Sequence, residues 1–93
     1  MEMTKADLIE VVSKEAKITR VKAETVVETI FDSMKDALKK GDRVELRGFG
    51  TFAMRHYEAY RGRNPRTGEV IDVPKKRLPF FKVGKTFKRQ VGG

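Results

Sequence analysis

Leu8, Ile9, Val12 and Ala16 recur at three- and four-residue spacing, which predicts one apolar helix face. Thr4 followed by Asp7 supplies a start, a capping box with Asp in place of Glu. Ile18-Thr19 breaks the pattern and offers a second cap. From Val21 onward Ala23, Val26, Val27, Ile30, Phe31, Met34, Ala37 and Leu38 form an almost unbroken ladder, and Gly41 is placed to end that helix in a left-handed cap. Glu24, Glu28, Asp32, Lys35, Asp36 and Lys39 occupy the other face as a solvated surface. The apolar ladder is broad for a helix with one short partner, so apolar surface is left uncovered and self-association is expected.

After Gly41-Asp42 the period becomes two: Val44 and Leu46 alternate with Arg43, Glu45 and Arg47, which predicts a half-buried strand. Arg47-Gly48 turns the chain into a second strand from Phe49 to Met54. Phe49 and Phe52 are three residues apart, so a regular strand would send them to opposite faces. Gly50 between them predicts a bulge that turns both inward. From Arg55 to about Arg77 the residues suit a long hairpin. Its tip, Asn64-Pro65-Arg66-Thr67-Gly68, has proline for a first turn position and a glycine free to take positive φ. Eleven residues each way would reach about 35 Å, and such a ribbon is hardly stable alone in water. Leu78–Phe81 returns as a third strand. Val83-Gly84 opens a short helix over 84–91 with Phe87 and Val91 facing inward.

Charge sharpens this outline. The chain of 93 residues carries 21 Lys and Arg against 13 Asp and Glu, a net charge of +8. Residues 1–54 hold ten basic and ten acidic side chains, whereas 78–93 hold four basic and none acidic. The whole excess lies in the hairpin and in the segment C-terminal to it, as expected of a surface for a polyanion. There is no cysteine, hence no disulfide framework and no thiolate metal site. No apolar run approaches the roughly 20 residues that span a bilayer, and Glu2 and Asp7 are unlike a signal peptide. A protein of the cytoplasm is expected.

Catalytic chemistry finds little footing. His56 has no second histidine to complete a metal site, and Ser13 and Ser33 fall in helical stretches. Gly84-Lys85-Thr86 resembles the end of a P-loop, but the glycine required five positions earlier is Pro79. No enzyme activity, cofactor, metal or small-molecule substrate is expected.

Gly48-Phe49-Gly50-Thr51-Phe52, Gly62-Arg63-Asn64-Pro65-Arg66-Thr67-Gly68 and Pro79-Phe80-Phe81-Lys82-Val83-Gly84-Lys85 together resemble the bacterial HU and integration host factor family, over about Met3 to Val91. The resemblance implies an α+β fold: two N-terminal helices as a base (1–41), and a three-stranded antiparallel sheet with a β-ribbon arm (42–83). A C-terminal helix completes one domain that works as an intertwined dimer. It also implies minor-groove binding and bending of double-stranded DNA. Pro65 would be the intercalating wedge, with Arg63 and Asn64 beside it. Arg55, Arg61, Arg66, Lys75, Lys76 and Arg77 would follow phosphates along the arm. Thr4, Lys82, Lys85 and Lys88 would hold DNA against the body. Arg47 stands where integration-host-factor-like chains carry a basic residue near DNA. Many members have an arginine where this chain has Tyr60, which puts the contact of Arg61 in doubt. Arg47 and Tyr60-Arg61 lean toward the integration host factor side. Whether the partner is an identical or a paralogous chain stays open. A sequence-independent RNA or polyanion binder without a wedge is the alternative, and an arm that pairs with protein is another.

Overall fold

The computed structural model describes residues 1–92. The chain divides into two compact units, Met1–Ala37 and Leu38 onward. In the first, helix α1 (Lys5–Ala16) begins at the capping box read from the sequence. The Asp7 N–H donates to the Thr4 hydroxyl at 3.2 Å, and the Thr4 N–H donates to the Asp7 carboxylate at 2.9 Å. Lys17 ends the helix in the left-handed conformation at φ 55°. The Ser13 hydroxyl then donates to the Ile18 carbonyl at 2.8 Å and fixes the turn. Thr19 caps helix α2 (Arg20–Lys39) by accepting from the Lys22 N–H. Ile9, Ala23 and Val27 are buried between the helices, flanked by Leu8, Val12 and Ile18. Ion pairs Lys5–Glu28 (2.9 Å) and Arg20–Glu10 (2.7 Å) tie the two helices at the surface, where such pairs add little stability.

Other positions of the apolar ladder on α2 stay open, with Ile30 52 % exposed and Val26 and Phe31 41 % each, whereas Met34, Ala37 and Leu38 are half-buried. Three buried apolar side chains are a small core, and burial of this extent stabilises a chain only marginally.

In the second unit the Gly41 N–H donates to the Leu38 carbonyl at 3.0 Å, with φ at 89°. That left-handed turn, which suits glycine, leads into strand β1 (Val44–Leu46). Strand β2 (Gly50–Tyr57) lies between β1 and a later strand, β5 (Lys76–Val83), and both pairings are antiparallel. Phe49, Phe52 and Phe81 gather on one face, with ring centroids 4.7 to 6.4 Å apart.

The bulge expected at Gly50 is absent. Gly50 pairs regularly with Leu46 on one side and Val83 on the other. Phe49 joins the cluster because it lies in the turn before β2, where the strand's alternation does not bind it. Its N–H donates to Leu46 and its carbonyl accepts from Gly84, both at 2.9 Å. Gly50 is glycine for another reason: a Cβ there would come within 2.5 Å of the Phe81 ring and the Lys82 carbonyl.

Helix α3 (Lys85–Gly92) follows β5. Phe87 stacks on Phe49 at 4.9 Å. Val91, expected to face inward, is 68 % exposed; it sits in the last turn, beyond the aromatic cluster.

Candidate nucleic-acid interface

The arm is a ribbon in two sections. Beyond Tyr57, which pairs with Lys76, the ladder stops and resumes as strand β3 (Tyr60–Arg63) against strand β4 (Val70–Val73). Pro74 lies in the gap, and proline has no N–H to give to a ladder. Glu58-Ala59 on one strand faces Pro74-Lys75 on the other, two residues against two, so the register carries across the gap without a slip. The third strand is accordingly longer than Leu78–Phe81.

At the tip the loop is closed by main-chain bonds: Asn64 N–H to the Glu69 carbonyl and Gly68 N–H to the Asn64 carbonyl, each 2.8 Å. The Asn64 side-chain oxygen accepts from the Arg66 N–H at 2.8 Å, an Asx turn built around Pro65. Gly68 takes φ 76°. Arg63 reaches across the loop, its Nη1 donating to the Gly68 carbonyl at 3.1 Å. Pro65 is exposed at the end of this pinned loop. Below the tip Arg61 donates to the Asp72 carboxylate at 3.1 Å, directly across the ladder. Arg61 therefore has an acidic partner that Arg63 and Arg66 lack.

The pairing register sorts the remaining candidates by face. Thr51, Ala53, Arg55 and Tyr57 on β2 share a face with Lys76, Leu78, Phe80 and Lys82 on β5. Arg43, Glu45 and Lys85 border an open groove with Thr51, Phe80 and Lys82 on that side. The other face carries the phenylalanine cluster and Arg77. The Arg77 guanidinium donates to the Lys39 carbonyl at 2.9 Å, so it stands apart from Lys76 although it is next to it in sequence. Lys75 is exposed in the gap and Arg47 exposed in the turn before β2. Lys85 and Lys88 lie on one surface of α3 with Arg89. The Gly84 N–H before that helix is taken by the Phe49 carbonyl and is closed to a phosphate. Thr4 belongs to the N-terminal unit, where its hydroxyl caps α1. The N–H of Thr4 and then its hydroxyl hold the Asp7 carboxyl below its ordinary value of 3.8.

Two features of this face escaped the sequence. Arg43 borders the groove with the other cations. Phe80 and Tyr57 lie under cations: the Arg55 guanidinium is over the Phe80 ring at 4.3 Å, and the Lys76 ammonium over Tyr57 at 5.6 Å. Strand parity counted back from Lys82 would have put Phe80 on that face; Tyr57 and Arg43 needed the pairing register.

A family model described as Bacterial DNA-binding protein matches residues 3–92. The chain belongs to this family. DNA-binding protein HU 1 of Bacillus subtilis is 43 % identical over 91 residues, covering 98 % of this chain and 99 % of that protein. DNA-binding protein HU of Clostridium pasteurianum is 46 % identical over 89 residues, covering 96 % and 98 %. Among solved structures, an Anabaena HU–DNA cocrystal structure matches with a TM-score of 0.82 at 37 % identity, covering 96 % and 97 %. HU from Thermotoga maritima matches at 0.65 and 28 %, covering 96 % and 98 %. The α+β fold is thus that of HU, in a non-enzymatic family. These relatives carry the HU name, which does not support the lean toward integration host factor drawn from Arg47 and Tyr60-Arg61.

Proposed function

We propose that this protein is an architectural DNA-binding protein that acts as a dimer and bends the duplex with two β-ribbon arms in the minor groove. The observation that carries the reading is Pro65, exposed at the end of a loop pinned by its own backbone and flanked by Arg63 and Arg66. A proline ring is compact, apolar and free of an N–H that would need a partner. It can enter a base step at the cost of unstacking, a few kcal/mol for this class of minor-groove architectural proteins, HU and integration host factor among them. Arginines are drawn to the strong negative potential of a narrow minor groove. Phosphate contacts from Arg55, Lys76, Lys82 and Lys85 on the sheet face and α3 would then be gained on the bent flanks. Arg77 is better assigned to the arm's root, where it holds the end of α2.

One observation and one geometric argument support a dimer. The open apolar positions of α2 and the half-exposed Phe49 and Phe81 need cover, and one arm alone would grip one side of a bend. The HU names of the relatives favour general binding over site selection. Such a protein would work on the bacterial chromosome, in the cytoplasm.

The test is end-to-end fluorescence energy transfer on a duplex of about 35 base pairs, titrated at two salt concentrations; counterion release makes phosphate binding fall steeply with salt. Shortening of the duplex with salt-sensitive affinity is expected. Salt-sensitive binding without shortening, with equal affinity for duplex RNA, would leave the unbending polyanion binder instead. The wide, shallow groove of A-form RNA does not fit the arm.

A further inference from the structure

Two cations on the sheet face lie over aromatic rings. Arg55 lies over the Phe80 ring at 4.3 Å and Lys76 over the Tyr57 ring at 5.6 Å, in both cases across the β2–β5 ladder. All four residues share one face, which the chain's own aromatic cluster leaves uncovered. We infer that Phe80 and Tyr57 are positioning residues for DNA, holding Arg55 and Lys76 ready for phosphate. This rests on the reading of that face as a phosphate-binding surface.

The physical basis is preorganisation. A guanidinium held over a ring face still has N–H groups to offer, so the same group can meet the ring and a phosphate at once. Attraction to the ring is present before and after DNA arrives and cancels from the affinity. What does not cancel is side-chain freedom, which an unsupported arginine or lysine loses on binding and a stacked one has already lost. That difference amounts to about three- to tenfold in affinity for a well-stacked arginine. Lysine at the longer distance, with a rounder and more mobile head, should show less. Leucine in place of Phe80 keeps the apolar contact with the sheet and removes the flat surface.

The experiment is a double-mutant cycle with wild type, Phe80→Leu, Arg55→Gln and the double variant. Each is titrated by fluorescence anisotropy against a labelled duplex of about 35 base pairs, with melting curves in parallel. Phe80→Leu, lost from both arms of a dimer, is expected to weaken binding about ten- to hundredfold in the wild-type background, about three- to tenfold for each arm, and not at all beside Arg55→Gln. The salt slope should stay unchanged, because no charge is lost, and Phe80→Tyr should restore the affinity. Equal weakening in both backgrounds would make Phe80 a structural residue and overturn the inference. So would no weakening, or tighter binding, which would mean that the ring competes with phosphate for Arg55. If wild type shows no salt-dependent duplex binding at all, the proposed function falls with this inference. If wild type binds and the cycle shows no coupling, the inference alone falls.

Discussion

Lys82→Gln and Arg77→Gln each remove one positive charge from β5, yet the two variants should behave in opposite ways. Lys82 lies on the face with Arg55 and Lys76, whereas Arg77 lies on the other and donates to the Lys39 carbonyl at 2.9 Å. On duplex DNA each neutralised phosphate contributes about 0.9 to the slope of log affinity against log salt. A dimer that loses Lys82 twice should therefore have a slope shallower by about 1.8. Across a fourfold change in salt that amounts to about tenfold in relative affinity. Arg77→Gln should leave the slope untouched. Its cost falls on the fold, about 1 kcal/mol for a charged bond to the last carbonyls of a helix. Fluorescence anisotropy with a labelled duplex from about 50 to 200 mM salt reads the slope, and urea unfolding reads the stability. An equal flattening by both variants would refute the assignment of faces from the register.

Pro65→Ala should keep most of the affinity and lose most of the bending, because the charges stay while the wedge goes. Unchanged energy transfer between the duplex ends in that variant would remove Pro65 from the mechanism. Gly50→Ala should destabilise the second unit by about 3 kcal/mol or more, since the new Cβ meets the Lys82 backbone carbonyl, which cannot step aside. A loss under about 1 kcal/mol in urea unfolding would show that the strand yields there. The Asp7 carboxyl is depressed by Thr4, so its stabilisation is present above 3.8 and lost as pH falls through its folded value. The stability gap between wild type and Asp7→Asn should then close in acid, and a gap constant from neutral pH to about pH 2 would deny the shift.

The helices and their ends were legible because each local signal agreed with the next: Thr4 with Asp7, Thr19 before the long ladder, Gly41 after it. The arm tip was legible for the same reason, since Asn64-Pro65 and Gly68 demand a turn whatever surrounds them. The failures fall where spacing within one strand was asked to settle a matter of tertiary placement. Phe49 and Phe52 look like same-strand neighbours, but Phe49 is held in a turn by Leu46 and Gly84. Lys75, Lys76 and Arg77 are neighbours in sequence, but Lys75 lies in the gap before β5. The register against β2 puts Lys76 on the face of Arg55 and Arg77 on the other, a division that spacing alone does not show. Once Tyr57 is paired with Lys76, the face of every residue as far as Val83 is set. A sequence offers the alternation without its phase. The phase of β5 against β2 comes from the loop at the arm tip, where Arg63 pairs with Val70, and spacing alone does not announce it.

The small core connects folding to function. Ile9, Ala23 and Val27 are the buried apolar residues among those described, while Ile30, Phe31, Phe49 and Phe81 keep about two-fifths or more of their surface. A partner that covers these residues supplies stability that the lone chain lacks, so folding and association should be one event. Unfolding of such a dimer depends on concentration: a hundredfold dilution costs about 2.7 kcal/mol. With about 2.1 cal/mol/K per residue and two chains of 93 residues, the unfolding entropy is near 400 cal/mol/K. The melting temperature should fall by about 7 °C over that dilution. Calorimetry at high concentration and fluorescence melting at low concentration span the range. A melting temperature that does not move would mean the chain folds alone, and the exposed face of α2 would then need another explanation. A shift of the expected size would mean that the two arms exist only together, so that no folded protein presents a single wedge to DNA.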